Sequence, residues 1–424
     1  MRRLAPVLLS ASLFLPAAAS GQTLAQQFGD LFTFGDCGEP LCLPVNAGVH
    51  GSHYIPGVVQ GQNNLLSFLS SSISTSLGNL PVSSATSSEI FSFVNGLPVA
   101  EQGSAGPIFG ERAQTLGQGR FVLGAAVTGL NFNQIRGVNL NDVELSFVHQ
   151  NVGSADFGDP AFEQDVIEVS ADMELDIMAI SMGATYGLTN RIDIGVVVPY
   201  VTAKLLGTSS ARVLSALSTT PHSFGTPENP SQTANAAADG SASGVGDITG
   251  RIKLNILQSS TTGFALLGEV RLPTGDDENF LGSGETVLRA LGVFSARRGT
   301  FTPHINAGVV VRTGDVNTTG VVVNAGFDQL LSPRATLAID LLGGLQLGDG
   351  IEFPTEAVFD VPAGQTVDLT NIPDATDHIL NLSVGGKFTA TEDLRFITNV
   401  FVPLNSGGLR SSLGWTVGLE LDFR

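Results

Sequence analysis

Few residues of this chain have the types and spacing to do chemistry. Six His stand at positions 50, 53, 149, 222, 304 and 378. A hydrolase needs a nucleophile, a base and an orienting group within reach of one another, and no His here sits in a recognisable Ser or Asp constellation. Serines near His304 or His378 would have to serve if hydrolysis occurred at all; no catalytic residue is expected. Cys37 and Cys42 lie close together in "DCGEPLCL". In an oxidising compartment they would form a disulfide around Gly38 and Pro40. The alternative is a metal held with His50 and His53 of "HGSH"; the disulfide is the expectation, with no metal and no cofactor. "GVGD" (244–247) and "GSGE" (282–285) lack the Lys and the strand–loop–helix setting of a phosphate loop. "GDDEN" (275–279) is too short for an EF-hand loop. These glycines and acids read as turns and solvated loops.

The remaining charges follow a strict period of two. In "GDITGRIKLNIL" (246–257), Ile248, Ile252, Leu254 and Ile256 share one face, while Asp247, Arg251 and Lys253 share the other. The same alternation assigns Arg191, Asp193, Glu269, Arg271, His304, Arg312, Asp340, Lys387, Arg395 and Glu420 to polar faces. About twelve strands follow from this period: 119–133, 165–187, 190–206, 245–258, 261–274, 284–297, 300–313, 320–331, 334–348, 377–390, 393–405 and 413–424, with 142–149 as an extension. In 166–177, Glu168, Asp172, Glu174 and Asp176 share a face. The apolar phase slips after Met178, which predicts a bulge.

The links between strands alternate short and long. "TN" (189–190), "SSTT" (259–262), "RRGT" (297–300), "SPRA" (332–335) and "ATED" (390–393) are short; 134–164, 207–244, 275–283, 314–319, 349–376 and 406–412 are longer. An even strand number with alternating short and long connections is the pattern of a transmembrane antiparallel β-barrel, apolar toward lipid and polar toward its lumen. The polar-face residues named above are therefore the candidate lumen lining. The last strand, "LGWTVGLELDFR" (413–424), would close against the first and leave no sheet edge. The 259–262 turn sets a register that places Arg251 opposite Glu269 as an ion pair.

Composition agrees with export. Residues 1–21 have Arg2 and Arg3, an apolar run and then Ala17, Ala18, Ala19 and Ser20, the layout of a signal peptide cut between Ala19 and Gln22. Only 14% of residues are charged, against roughly 25% in soluble domains. The formal net charge of -19 argues against nucleic acid. Residues 22–118 differ from the rest, being rich in Ser, Gly, Asn and Leu, with one amphipathic helix expected over 63–80. They form either a plug in the barrel of 119–424 or a periplasmic extension. As a plug, Leu65, Leu66, Phe68 and Leu69 could line an apolar path or pack the plug's own core.

Four blocks occur in order: "AQTLGQGRFVLGAAVTGLNF" (113–132), "YGLTNRIDIGVVVPYV" (186–201), "SGVGDITGRIKLNIL" (243–257) and "LLGEVRLPTGDDENFLGSGE" (266–285). Together they resemble the outer-membrane transporter family named for the meta-pathway of phenol degradation, which is similar in turn to long-chain fatty-acid transporter barrels. The parts around Gly246–Asp247 and Pro273–Thr274–Gly275 are the more specific. The resemblance implies a bacterial outer-membrane location and a monomer surrounded by outer-membrane lipid. It also implies insertion by the barrel assembly machinery, a plug, and passive uptake of a small hydrophobic or aromatic solute without enzymatic chemistry. The penultimate Phe423 followed by Arg424 departs from the commonest barrel ending, in which the aromatic is last. The competing reading is a structural or adhesive barrel that transports nothing.

Overall fold

The computed structural model describes residues 21–34, 40, 41, 43, 54–78, 89–94, 97–102, 104–148, 165–215, 222–226, 228–314, 319–347, 350–353, 356–359 and 365–423. The expected signal peptide (except Gly21), Cys37, Cys42, His50 and His53 lie outside them. The barrel strands are β1 (Phe121–Ile135), β2 (Asp165–Gly187), β3 (Ile192–Ser215), β4 (Thr249–Gln258), β5 (Thr262–Arg271), β6 (Val287–Ala296), β7 (Phe301–Arg312), β8 (Thr319–Ser332), β9 (Ala335–Gln346), β10 (Ile379–Thr389), β11 (Leu394–Pro403) and β12 (Leu409–Phe423). Each pairs antiparallel with its sequence neighbour, and β12 pairs with β1, Phe423 opposite Phe121. The result is a closed twelve-stranded barrel, in which every backbone ladder finds a partner and no edge meets lipid.

The two faces divide as the alternation requires. Ile194, Val196, Ile252, Leu254, Leu266, Leu288, Val309, Val384, Val400, Val417 and Leu419 are exposed on the outside. Tyr186, Phe294, Phe388, Phe396 and Phe423 are exposed beside the short turns, where a barrel carries its aromatic girdle. No helix among the described residues is long and apolar enough to cross a membrane. The apolar belt makes strands the crossing elements, and the chain is a β-barrel of outer-membrane type.

β2 and β3 do more than cross. β3 has 24 residues, about 80 Å at roughly 3.3 Å each, whereas a span needs about 9–11 residues. Their pairing runs from Asp165↔Ser215 to Gly187↔Asp193 with no shift in register. The bulge expected after Met178 is absent; the surroundings change instead. Met178, Ile180 and Met182 point outward into the belt, and further along the same face lie Asp176, Glu174 and Asp172. The acids thus face water on a part of the strand beyond the lipid, and the inward face there, Ile167, Val169, Met173 and Leu175, is buried. The link expected over 207–244 is likewise sheet in part: β3 continues to Ser215, and strand Thr233–Val245 pairs with it.

A glycine fixes one lipid-facing contact. Trp415 stands opposite Gly129, where an added Cβ would lie 2.5 Å from the indole. Gly129→Val should cost about 1–3 kcal/mol through overpacking. Urea unfolding in lipid vesicles should show this loss, and Trp415→Ala should abolish it in the double variant. Equal stability of Gly129→Val and the parent would mean that the indole is not held there.

The N-terminal segment lies against the inner wall. α1 (Leu24–Asp30) starts with a capping box: Thr23 Oγ1 accepts from Gln26 N at 3.2 Å, and Gln26 Oε1 accepts from Thr23 N at 3.0 Å. α2 (Ile55–Gly78) buries Val58, Leu65, Phe68, Leu69 and Ile73 at helical spacing. These side chains form one core with Phe28, Phe32, Phe132, Phe147, Ile167 and Leu205. Close approach is permitted by Gly207, where a Cβ would meet the Leu31 side chain at 2.9 Å. Arg136 anchors the far side. It lies 5.3 Å over Phe68 and 5.2 Å over Phe353, and donates to Asp377 Oδ1 and Oδ2 at 2.9 and 3.0 Å.

Candidate functional site

Residues 104–118 cross the lumen on the side of the short turns. Their backbone is irregular, so its polar groups need partners within the barrel. Inward side chains provide them. Asn306 on β7 pairs with both backbone groups of Glu111, accepting from N at 2.6 Å and donating to O at 2.9 Å. Thr336 Oγ1 accepts from Ala105 N at 2.9 Å, and Ser295 Oγ accepts from Ala113 N at 3.1 Å. Asn255 donates to Ala113 O at 2.7 Å, and Asp193 accepts from Leu116 N at 3.1 Å. Gly110 passes over His304, leaving no room for a Cβ beside its ring.

The segment's own charges complete the floor. Arg112 and Ser104 both bond Asp328, which is fully buried. Glu111 accepts from Arg251 at 2.7 Å and from Lys253 at 3.2 Å. Burial alone would raise the Glu111 carboxyl, but Lys253 and Arg251 outweigh it and bring the pKa down to about 2. His304 Nε2 lies 2.6 Å from Asp340.

The wall carries most of the sequence-derived candidates. Arg251 Nε and Glu269 Oε1 are 2.8 Å apart in the register set by the 259–262 turn. Lys387 donates to Glu420 at 3.0 Å, and Arg395 reaches Glu420 at 3.7 Å and Asp422 at 3.4 Å. Arg191 is exposed in the bend before β3, where its carbonyl accepts from Asn255 N at 2.8 Å. Asp247 accepts from Gly275 N at 3.1 Å, Ser283 N at 2.8 Å and Ser283 Oγ at 2.6 Å. Thr274 Oγ1 donates to Gly246 O at 2.8 Å and accepts from Ile248 N at 2.9 Å. Loop 272–286 is thereby folded inward, with Phe280 and Leu281 in the core.

Between this floor and α2 lies a chamber of about 220 Å³. Phe109, Leu130, Phe132, Val201, Leu281 and Phe401 line it, as do Arg251, Arg271, Arg289, Arg312 and Arg410. α2 contributes Ser71, Ser72, Thr75, Ser76 and Leu77. Of the two roles open to Leu65, Leu66, Phe68 and Leu69, lining an apolar path and packing a core, the packing role is the one seen. Leu65, Phe68 and Leu69 are buried in the core and Leu66 packs against it, so the helix presents its serine side to the chamber. Glu111, Arg112, Asp328, Arg289 and Arg410 were not among the sequence candidates. Glu111 and Arg112 lie in a segment with no period, and their partners are far away in sequence; Arg289 and Arg410 fall on inward phases and were legible by the same alternation.

A second cluster sits at the far end of β2. His222 Nδ1 lies 2.8 Å from Asp165, and the Tyr54 hydroxyl donates to Asp165 O at 3.1 Å. Burial and the neighbouring Asp165 push the Tyr54 phenol above its ordinary range. It therefore stays neutral, joining α2 to the barrel as a hydrogen-bond donor.

No family model and no curated protein matches the chain. Solved structures do. An outer membrane channel from Pseudomonas putida F1 is 13% identical, with 73% of this chain and 98% of the channel covered and a TM-score of 0.42. A mutant of the monoaromatic hydrocarbon channel TodX is 13% identical, covering 80% and 96%, with a TM-score of 0.34. The P. putida toluene transporter TodX is 11% identical, covering 72% and 90%, with a TM-score of 0.30. At these scores the likeness decides nothing beyond what the register and faces of this chain already establish: a closed, lipid-facing β-barrel with an occupied lumen.

Proposed function

We propose that this chain is a monomeric channel of the Gram-negative outer membrane. It admits a small hydrophobic or aromatic molecule by passive diffusion, and residues 22–118 act as its plug. The observation that carries the reading is the half-apolar chamber enclosed between α2 and the 104–118 floor, inside a membrane-crossing wall. A barrel serving only as a scaffold has no use for an internal space faced by Phe109, Phe132 and Phe401. The resemblance to the phenol meta-pathway transporters agrees with this reading, as do the hydrocarbon and toluene channels named above. No covalent step is involved, and assembly would use the barrel assembly machinery.

The test is initial uptake of radiolabelled naphthalene by Gram-negative cells producing the chain, compared with cells that lack it. Several-fold faster uptake is expected. Equal rates, with the barrel correctly inserted, would leave the structural or adhesive reading standing.

A further inference from the structure

We infer that Arg136 is the latch on the outer side of the chamber, and that the chamber opens outward when this guanidinium leaves its seat. The inference deepens the proposed function by naming how access to the same chamber is controlled, and its consequence for uptake rests on that reading.

The latch begins in a turn. β1 ends at Ile135, and a two-residue turn returns the chain as strand Val138–Asn139, with Gln134 opposite Asn139 and Ile135 opposite Val138. Both turn residues have positive φ, 47° at Arg136 and 89° at Gly137. Such a turn favours Asn-Gly, and a long side chain in the left-handed region is strained. What keeps Arg136 there is its buried side chain. Nε and Nη2 fork onto the Asp377 carboxylate at 2.9 and 3.0 Å. Nη1 donates to Pro373 O at 3.2 Å, and Nη2 also donates to Ile351 O at 2.8 Å. The guanidinium lies 5.3 Å from the Phe68 ring and 5.2 Å from the Phe353 ring. One planar cation, able to fork and to stack at once, therefore joins three pieces: α2 through Phe68, residues 350–353 and residues 373–377.

These pieces meet the chamber on the side away from the short turns, where β1 finishes and β10 starts. Asp377 and Ile379 line the chamber, and so does Gly408, whose carbonyl accepts from Arg136 N at 2.9 Å. On α2 the lining begins at Ser71, about one helical turn beyond Phe68. The other ties nearby are weaker or separate. Asn64 on α2 adds a neutral bond to Glu352 O at 3.1 Å. Residues 369–371 are fixed by strand Val143–Val148, with Ser146 N donating to Leu369 O at 2.8 Å and Glu144 N to Asn371 Oδ1 at 3.0 Å. Residues 373–376 beyond them are exposed. Losing the guanidinium thus frees 350–353 and 373–377 from α2, while the barrel ladder and the base of the loop stay in place.

Labelling of the purified full-length protein in detergent with N-ethylmaleimide tests the inference. Ser72→Cys reports the chamber, and protein without it gives the background from Cys37 and Cys42. Arg136→Asn keeps the turn type and removes the guanidinium; it should speed labelling at position 72 at least tenfold. Arg136→Lys keeps the charge without the fork or the plane and should fall between. Gln114→Cys, in the floor, should label at one rate with or without Arg136. Equal rates at position 72 in parent and Arg136→Asn would overturn the latch. So would a parallel acceleration at position 114, which would mean a general loosening of residues 22–118. If Arg136→Asn fails to fold, Asp377→Asn takes its place with the same outcomes. Faster labelling with no naphthalene uptake by either protein would reject the channel reading and leave the latch. Naphthalene uptake with unchanged labelling would reject the latch and leave the channel.

Discussion

Replacing Glu111 and Arg112 together with alanine should raise the steady conductance of the refolded protein several-fold in a planar bilayer. Both side chains belong to the floor, and both bond groups that are buried in the wall. Without Arg112, Asp328 is left near His304 and Asp340 with no guanidinium to neutralise it. Without Glu111, Arg251 and Lys253 lose a shared carboxylate. Breaking a buried pair by removing one partner costs about 3–5 kcal/mol, a large fraction of the stability of any one segment. The remaining hold on residues 104–118 consists of hydrogen bonds worth about 0.5–1.5 kcal/mol each, so the floor should leave the lumen while the twelve-stranded ladder persists. Heat-modifiable migration on a gel checks that the barrel is intact. Acid should reproduce the effect. The Glu111 pKa is lowered from 4.5 to about 2 in the fold, so its contribution is fully present above pH 4.5 and is lost as the pH falls through about 2. Conductance should match at pH 7 and pH 5 and rise toward that of the variant near pH 2. An unchanged conductance in the double variant would show that residues 104–118 do not close the lumen.

The barrel wall was legible because a strand that separates lipid from a hydrated lumen must alternate, and each short turn fixes the register beside it. The Arg251–Glu269 pair follows from the 259–262 turn alone. The same logic misread β2. Its inward and outward faces keep their phase through all 23 residues, but the medium outside changes from lipid to water near Met178 and the space inside changes from polar lumen to helix core. Apolar residues move from the outer to the inner face with no insertion, which in the sequence looks like a slip. The floor was illegible because its geometry is set by the wall. Nothing local in "GPIFGERAQTLGQG" (106–119) states that Asn306, 195 residues away, will pair with Glu111. Lumen contacts of this kind become visible only once the barrel has brought β3 to β9 around the segment.

The other large effect should come from Asp247. Its carboxylate is the common acceptor for Gly275 and Ser283, and so holds loop 272–286 against the inner wall. The loop is not relaxed on its own terms: Phe280 is a non-glycine residue with φ of 56°, a conformation that bulky side chains rarely adopt. What keeps it is burial of Phe280 and Leu281 together with those hydrogen bonds. Asp247→Ala leaves two backbone donors and a hydroxyl without their acceptor; Gly275 and Ser283 are half-buried, so each bond lost costs about 0.5–1.5 kcal/mol. The loop should swing away from the wall and take Leu281 out of the chamber lining. Two readouts should move together: larger single-channel conductance, and proteinase K cleavage within 275–284 on intact cells. Asp247→Asn keeps one acceptor oxygen and should fall between parent and alanine in both. If Asp247→Ala leaves conductance and cleavage unchanged, packing alone holds the loop, and the contacts among Gly246–Asp247 and Thr274–Gly275 are a consequence of the inward fold rather than its cause.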